Sequence, residues 1–265
     1  MKIAVSSNFF CNSHVEGIDK LGEFGFNSVE LICEKPHENV FNKQSIKLLN
    51  KLKEKFDLDI IIHAPFYGLN GAAWNDGVRQ ETVRQYKEAI KLAKEIDSKI
   101  VVIHLGIRSA GFMDKNEALI RNHQTLQECV GFAEDCNVIL ALENVGNYPM
   151  RLFDTIQDMI NIIEKISSSH LRATFDIGHA VIQKLNLYNS ILELAPYLEH
   201  VHIHDNFGIN DEHLPLNNGT INFSPAFKAL KKIKFNKTIT MEILNRNYLP
   251  NVLLESKEFI LKNLY

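Results

Sequence analysis

The sequence predicts an α/β protein, a (β/α)8 TIM barrel, and three observations predict it. Eight short β-branched, apolar runs recur at intervals of about 26 to 40 residues, the repeat length of a strand–helix unit. Longer stretches of helical period lie between them, with charged residues on the face opposite the apolar one. The 265 residues match one complete barrel of roughly 250. No Pro/Gly/Ser-rich linker or composition shift divides the chain, so one domain over residues 1–265 is expected.

The first strand is read over 2–6, whose apolar part is too short for a signal peptide. The others are read over 28–32, 59–63, 99–104, 138–143, 172–176, 200–204 and 238–243. Their near-continuous Ile, Val and Leu content suits parallel strands buried on both faces. One helix is expected over 80–96, where Val83, Ala89, Ile90, Leu92, Ala93 and Ile96 sit among Lys and Glu on the other face. Others are expected over 117–133, over 152–166 before the Ser167-Ser168-Ser169 break, and over 252–264, closing the ring. Three connections, 64–78, 106–116 and 205–224, exceed a tight turn. Each follows a strand's C-terminal end, the face on which barrels carry binding and chemistry.

Composition narrows the function classes. Apolar residues make up 45% of the chain and charged residues 23%, with a formal charge of −3, an ordinary globular mixture. No Lys/Arg run announces a nucleic-acid binder, although a local basic groove is compatible with a slightly acidic whole. No apolar run approaches the ~20 residues of a membrane span. Cys11, Cys33, Cys129 and Cys136 form no CxxC or zinc-ribbon pattern, and reduced thiols in a cytoplasmic protein are expected. P-loop, GxGxxG, HExxH and GxSxG patterns are absent, leaving a nucleotide cofactor or serine nucleophile without support.

The informative feature is positional. His63, His104, Glu143 and Asp176 end strands three to six, and His202 and Glu242 lie near the ends of strands seven and eight. Six consecutive strands thus deliver a His, Asp or Glu to one rim. Any one of these could be a half-buried histidine or a strand-end charge. Six in register point to a divalent-metal site, because a cation needs imidazole and carboxylate ligands converging from several directions. His179 follows in Thr174-Phe175-Asp176-Ile177-Gly178-His179, where Gly178 is expected to permit the bend from strand into helix. Asp211-Glu212-His213, if extended, aims a carboxylate and an imidazole to one side; a solvated loop is the plainer alternative. Phe66, Tyr67, Leu69 and Trp74 read as a pocket wall, a homo-oligomer contact or loop anchors. Arg108 and Lys115 read as phosphate contacts or as solvated charge.

These residues also carry a resemblance. Ile62-His63-Ala64-Pro65-Phe66-Tyr67, Val102-Ile103-His104-Leu105-Gly106, Leu142-Glu143-Asn144 and Phe175-Asp176-Ile177-Gly178-His179 resemble the xylose-isomerase-like barrel superfamily. So do His200-Val201-His202-Ile203-His204-Asp205-Asn206, Asp211-Glu212-His213-Leu214-Pro215-Leu216 and Thr240-Met241-Glu242. The resemblance spans essentially the whole chain. The superfamily joins sugar and sugar-phosphate isomerases and epimerases to endonuclease-IV-like apurinic/apyrimidinic endonucleases, and the motifs specify it better than any one reaction.

In the isomerase and epimerase branch, the resemblance implies one metal (Mn, Mg, Co or Zn) bound by Glu143, Asp176, His202 and Glu242. It would chelate the carbonyl and adjacent hydroxyl of a small-molecule sugar and stabilise an enediolate, while Glu143 and Glu242 remove and return a proton. His179, His63 and His104 would contact the substrate. Glu30, placed at the end of strand two, reads as a substrate-hydroxyl ligand or a surface charge. In the nuclease branch the resemblance implies three zinc ions. His63 and His104 would hold one, Glu143 would bridge to a second completed by Asp176, His202 and Glu242, and His179, Asp211 and His213 would hold the third.

Three features favour sugar chemistry. The nuclease pattern usually has polar residues after the first histidine, where Ala64-Pro65-Phe66-Tyr67 stands here. Glu143-Asn144-Val145-Gly146 lacks that family's Thr-Ala-Gly continuation. Asp211 to Leu216 resembles isomerase-like members that keep the extra histidines. One departure touches both branches: Asn217-Asn218-Gly219 replaces the usual Gly-x-Gly after Pro215, which implies a different loop shape at the substrate contacts there. Another metal-dependent lyase or hydrolase, or a non-catalytic binding barrel, are the remaining readings.

Overall fold

The computed structural model describes residues 1–10, 14–34, 40–146, 148–244 and 249–265; of the residues singled out above, Cys11 lies outside them. In chain order the elements are β1 (Lys2–Ser6), α1 (His14–Glu23), β2 (Ser28–Ile32), α2 (Lys43–Phe56), β3 (Asp59–His63), α3 (Asp76–Glu95), β4 (Ile100–His104), α4 (Lys115–Cys136) and β5 (Ile139–Glu143). They continue with α5 (Ile156–Ile166), β6 (Leu171–Asp176), α6 (Ile177–Ile182), α7 (Leu187–Leu194), β7 (Leu198–Ile203), α8 (Ser224–Lys232), β8 (Thr238–Met241) and α9 (Asn251–Leu264). The strands close a barrel in sequence order, each neighbouring pair parallel. The expected TIM barrel is the observed fold.

Strand alternation sorts the side chains. Val101 and Ile103, Leu140 and Leu142, and Val201 and Ile203 join the large apolar layer shared with the helices. The intervening residues face the lumen, where Ala4, Ile61, Val102 and Ala141 form a small apolar cluster of their own. The same alternation carries Glu30, His63, His104, Glu143, Asp176 and His202 inward, since each lies an even number of residues from a lumen position on its strand or contacts across the lumen. Each fully buried Leu, Ile or Phe of the outer layer contributes roughly 1.5–3 kcal/mol, which holds the strand ends in place for the polar rim above them.

Three helices start at capping residues and not where their apolar pattern starts. Helix α3 begins at Asp76 because Asn75 accepts a hydrogen bond from the Gly77 N–H. Helix α4 begins at Lys115 because Asp114 accepts from Asn116 and Glu117. Helix α5 begins at Ile156, later than expected, because Thr155 and Asp158 form a reciprocal capping box. It stops at Ser167, which turns left-handed at φ 56°. Strand β7 starts at Leu198 and β8 ends at Met241, so Glu242 stands one residue beyond its strand. Glu30 is the middle residue of β2, not its end.

Cys33 and Cys129 are buried free thiols and Cys136 is a half-buried one. No described helix is long and apolar enough to cross a membrane.

Candidate functional site

The six rim residues meet. Ligand atoms of Glu143, Asp176, His202 and Glu242 all lie within 4.8 Å of one another, and all four residues are buried. His202 Nδ1 is the hub: 3.2 Å from Glu143 Oε1, 3.4 Å from Glu242 Oε2 and 3.9 Å from Asp176 Oδ2. The other oxygen of Glu143, Oε2, faces His63 Nε2 at 3.3 Å and His104 Nε2 at 3.0 Å. Beside this lies a further cluster, His179, His204, Asp211 and His213. Asp211 sits 3.1 Å from His179 Nε2 and 3.2 Å from His213 Nε2.

The hydrogen bonds at the back of four of the rings are diagnostic. His63 Nδ1 bonds the Ala64 carbonyl, His179 Nδ1 the Asn144 carbonyl, His204 Nδ1 the Asp205 carbonyl and His213 Nδ1 the Glu242 carbonyl. A carbonyl only accepts, so in each ring Nδ1 is the donor. In the neutral ring Nε2 is then a lone-pair acceptor, and in every case it is aimed at a carboxylate. Acceptor facing acceptor is unfavourable unless a proton or a cation lies between. Imidazoles tied at the rear to a backbone carbonyl, with the front nitrogen turned to shared carboxylates, are the arrangement of metal ligands. Asp176 Oδ2, buried with no hydrogen-bond partner among the described residues, is a further acceptor a cation would satisfy. The donor set therefore fits a divalent cation at the Glu143 centre.

The electrostatics agree. Burial, the largest influence on Glu143, pushes its carboxyl up, but His202 and His104 outweigh it and hold the group well below the usual range. Asp176 is likewise brought down to about 2 by His179 and His204 against burial. Glu242 moves the other way, to about 7, through burial, with Glu143 adding to the rise and His202 opposing it. Burial lowers His63, yet the bond to Glu143 and its charge raise it to about 9. Two carboxyls of one centre are thus driven apart, the condition for separate acid and base roles.

Several local features bring these groups together. Asn144 clamps the ends of β5 and β6: its amide bonds the Asp176 carbonyl at 2.9 Å and accepts from the Asp176 N–H at 2.8 Å. Gly178 has a different role from the one expected. It does not adopt a positive φ but lies in α6, where a Cβ would fall 2.2 Å from the His204 ring; it is small to admit that imidazole. The 205–223 connection is pinned by an antiparallel bridge between Asp205 and Leu214. Asp211 and His213 do converge, though not through an extended stretch. His213 is left-handed at φ 49°, and that kink turns its ring back onto Asp211. Asn217 adopts φ 72°, a conformation Asn tolerates in place of the expected glycine. Gly219 is kept where a Cβ would fall 2.3 Å from Asp205 Oδ1.

A cavity of about 430 Å³ opens beside His104, walled by Phe66, Tyr67, Leu69, Ile107, Val145 and Tyr148. Phe66 stacks on His104 at 4.6 Å, and Glu34 holds this wall by accepting from the Phe66 and Tyr67 N–H groups. Trp74 lies elsewhere. Its Nε1–H donates to Glu117 at 2.8 Å and its ring meets Phe112 and the Ala72–Met113–Ala118–Leu152 cluster, so it anchors the loop. Lys115 pairs with Asp154 at 2.9 Å and Arg108 bonds the Gly111 carbonyl; no Lys or Arg is among the cavity's described lining residues.

Sequence reasoning left His204, His200 and Asn144 without a role. The signal for the histidines was the run His200-Val201-His202-Ile203-His204, whose period of two puts all three on the face of His202.

A family described as xylose isomerase-like TIM barrel matches residues 18–263. An uncharacterized protein of Methanocaldococcus jannaschii is 36% identical over 264 residues, covering 98% of this chain and 88% of that one. The D-psicose 3-epimerase of Enterocloster bolteae is 23% identical over 237 residues, covering 85% and 75%. The crystal structure of a D-tagatose 3-epimerase-like protein superposes with a TM-score of 0.91 at 35% identity, covering 100% of this chain and 97% of that one.

Proposed function

The chain belongs to the xylose isomerase-like TIM barrel family, and on that premise we propose that it is a divalent-metal-dependent sugar epimerase or isomerase acting next to a ketose-type carbonyl. The observation that carries this reading is the meeting of Glu143 and Glu242, from strand ends on well-separated staves, around His202 and Asp176. Relatives named for 3-epimerisation of psicose and tagatose support it. So does a neighbouring cavity whose described walls are largely aromatic and apolar and carry no Lys or Arg, which suits a small sugar better than a phosphate backbone.

Glu143, Asp176, His202 and Glu242 would hold the cation, three carboxylates and one imidazole suiting Mn²⁺, Mg²⁺ or Co²⁺ as well as Zn²⁺. When bound, the cation supplies Lewis-acid polarisation of the substrate's carbonyl and adjacent hydroxyl. Glu143, the more acidic group, takes the proton from the carbon beside the carbonyl on one face. Glu242 passes a proton drawn from solvent to the other face, inverting that centre, while Glu143 releases to solvent the one it took, and the roles exchange in the reverse direction. His179 would contact a substrate oxygen, and His104, with Phe66 stacked on it, would border the sugar. The test is incubation with ketoses in D2O. Deuterium should enter at the carbon beside the carbonyl; a full panel of ketoses showing no exchange with metal-loaded protein would sink the proposal.

One observation favours a second reading. Glu143 turns one oxygen to His63 and His104 and the other to His202, and the His179–Asp211–His213 group stands alongside. That is a donor set for three ions and for an apurinic/apyrimidinic endonuclease. Cleavage of an abasic-site duplex by protein carrying three zinc ions, with no solvent exchange into sugars, would select it.

A further inference from the structure

We propose that Glu30 is the positioning residue of the Glu143 centre, setting the tautomer of His202 from inside the barrel, with His200 and Thr240 holding Glu30 in place. The inference rests on Glu143, Asp176, His202 and Glu242 being a cation site.

His202 differs from the other imidazoles of the rim. It turns Nδ1, not Nε2, to the carboxylates. Nε2 instead lies 3.1 Å from the Glu30 carboxylate. Because β2 and β7 are not paired in the barrel, this contact crosses the lumen. Glu30 and His202 are both 0% exposed, so the pair is closed off from bulk solvent.

The chemistry follows from the ring. Neutral imidazole carries one N–H. Against Glu30 the proton sits on Nε2, because a carboxylate only accepts. Nδ1 is thereby left with its lone pair directed at the point shared by Glu143, Asp176 and Glu242. The opposite tautomer would put an N–H where a cation must bind and two acceptors face to face at Glu30. A carboxylate behind a ligating imidazole also raises its basicity and fixes its plane, and loss of such a partner commonly costs 10- to 100-fold in metal affinity.

Glu30 is itself held. His200 Nε2 lies 3.0 Å from Glu30 Oε2 and 2.9 Å from Thr240 Oγ1, so β2, β7 and β8 contribute to one buried polar line beneath the rim. This assigns Glu30 to His202 and away from any substrate hydroxyl: it sits mid-strand, wholly enclosed, with its oxygens turned to two imidazoles.

The experiment measures Co²⁺ affinity by chelator competition and the visible d–d spectrum, in wild type, Glu30→Gln and Glu30→Asp. Glu30→Gln keeps the shape but lets an amide N–H face Nε2. It should weaken Co²⁺ binding by about 10- to 100-fold and change the spectrum, with Glu30→Asp falling between. Binding within twofold of wild type and an unchanged spectrum in Glu30→Gln would overturn the proposal while leaving the cation site standing. Failure of the wild type to bind Co²⁺ at this centre would remove the site itself. Should Glu30→Gln not fold, ¹⁵N-histidine NMR of Zn²⁺-loaded wild type decides the matter. A proton on Nε2 of His202 is expected, and a proton on Nδ1 refutes the assignment.

Discussion

Gly178 lies directly against His204: a Cβ at that position would stand 2.2 Å from Cε1 of the imidazole. The contact couples α6, which carries His179, to the end of β7, which carries His202. Through it the second histidine cluster is packed onto the frame of the first.

Gly178→Ala should therefore displace the His204 ring. Overpacking of this kind costs about 1–3 kcal/mol, and for a chain of this size the melting temperature should fall by several degrees, roughly 2–4 °C per kcal/mol. Thermal unfolding of the metal-free protein reads it. An unchanged melting temperature would show that the ring has room to move.

Glu143→Gln and Glu242→Gln should each lower kcat by between about 10²- and 10⁴-fold, the usual contribution of a positioned proton-transfer group. Far-UV circular dichroism should stay unchanged, because each substitution removes a charge and not volume. Near-wild-type turnover in either variant contradicts the acid/base assignment.

Metal affinity should depend on pH with a definite sign. Glu242 is held up to about 7, first by burial and then by Glu143, and a cation must displace that proton. Affinity therefore falls as pH falls through this value. His202, raised well above the usual imidazole range by Glu242, Glu30 and Glu143 against burial, must also release a proton. The rise then continues above neutrality, about tenfold per pH unit for each proton displaced. Calorimetry in buffers of different ionisation enthalpy counts those protons. Affinity that is flat from about pH 6 to 8 would show that neither group is a ligand.

Removal of the cation should also cost stability. A ligand present at about 100 times its dissociation constant adds about 2.7 kcal/mol, so stripping it should lower the melting temperature by roughly 5–10 °C. Equal melting curves with and without chelator would place the bound ion outside this centre.

Much of the barrel was legible because its signal is periodic. Runs such as Ile100 to His104 and Ile139 to Glu143 are apolar on both faces and recur at one spacing. The rim residues could be picked out because each stands at the end of such a run. The caps at Asn75, Asp114 and Thr155 are single residues whose signal is weaker than the longer helical pattern around them. The role of Gly178 was not legible. A glycine at a strand–helix junction suggests a turn, and only the His204 ring, 26 residues away in sequence, shows that the reason is space.

What the sequence by itself determined is the fold class and the identity of the groups at the rim, since alternation and spacing are local properties of the chain. Tertiary structure alone decided which nitrogen of each imidazole faces inward, that Glu30 points across the lumen to His202, and that His200 and His204 join the polar network. Those contacts join groups that lie far apart in sequence or depend on ring orientation, and the closure of the barrel brings Glu30 of β2 to His200 and His202 of β7.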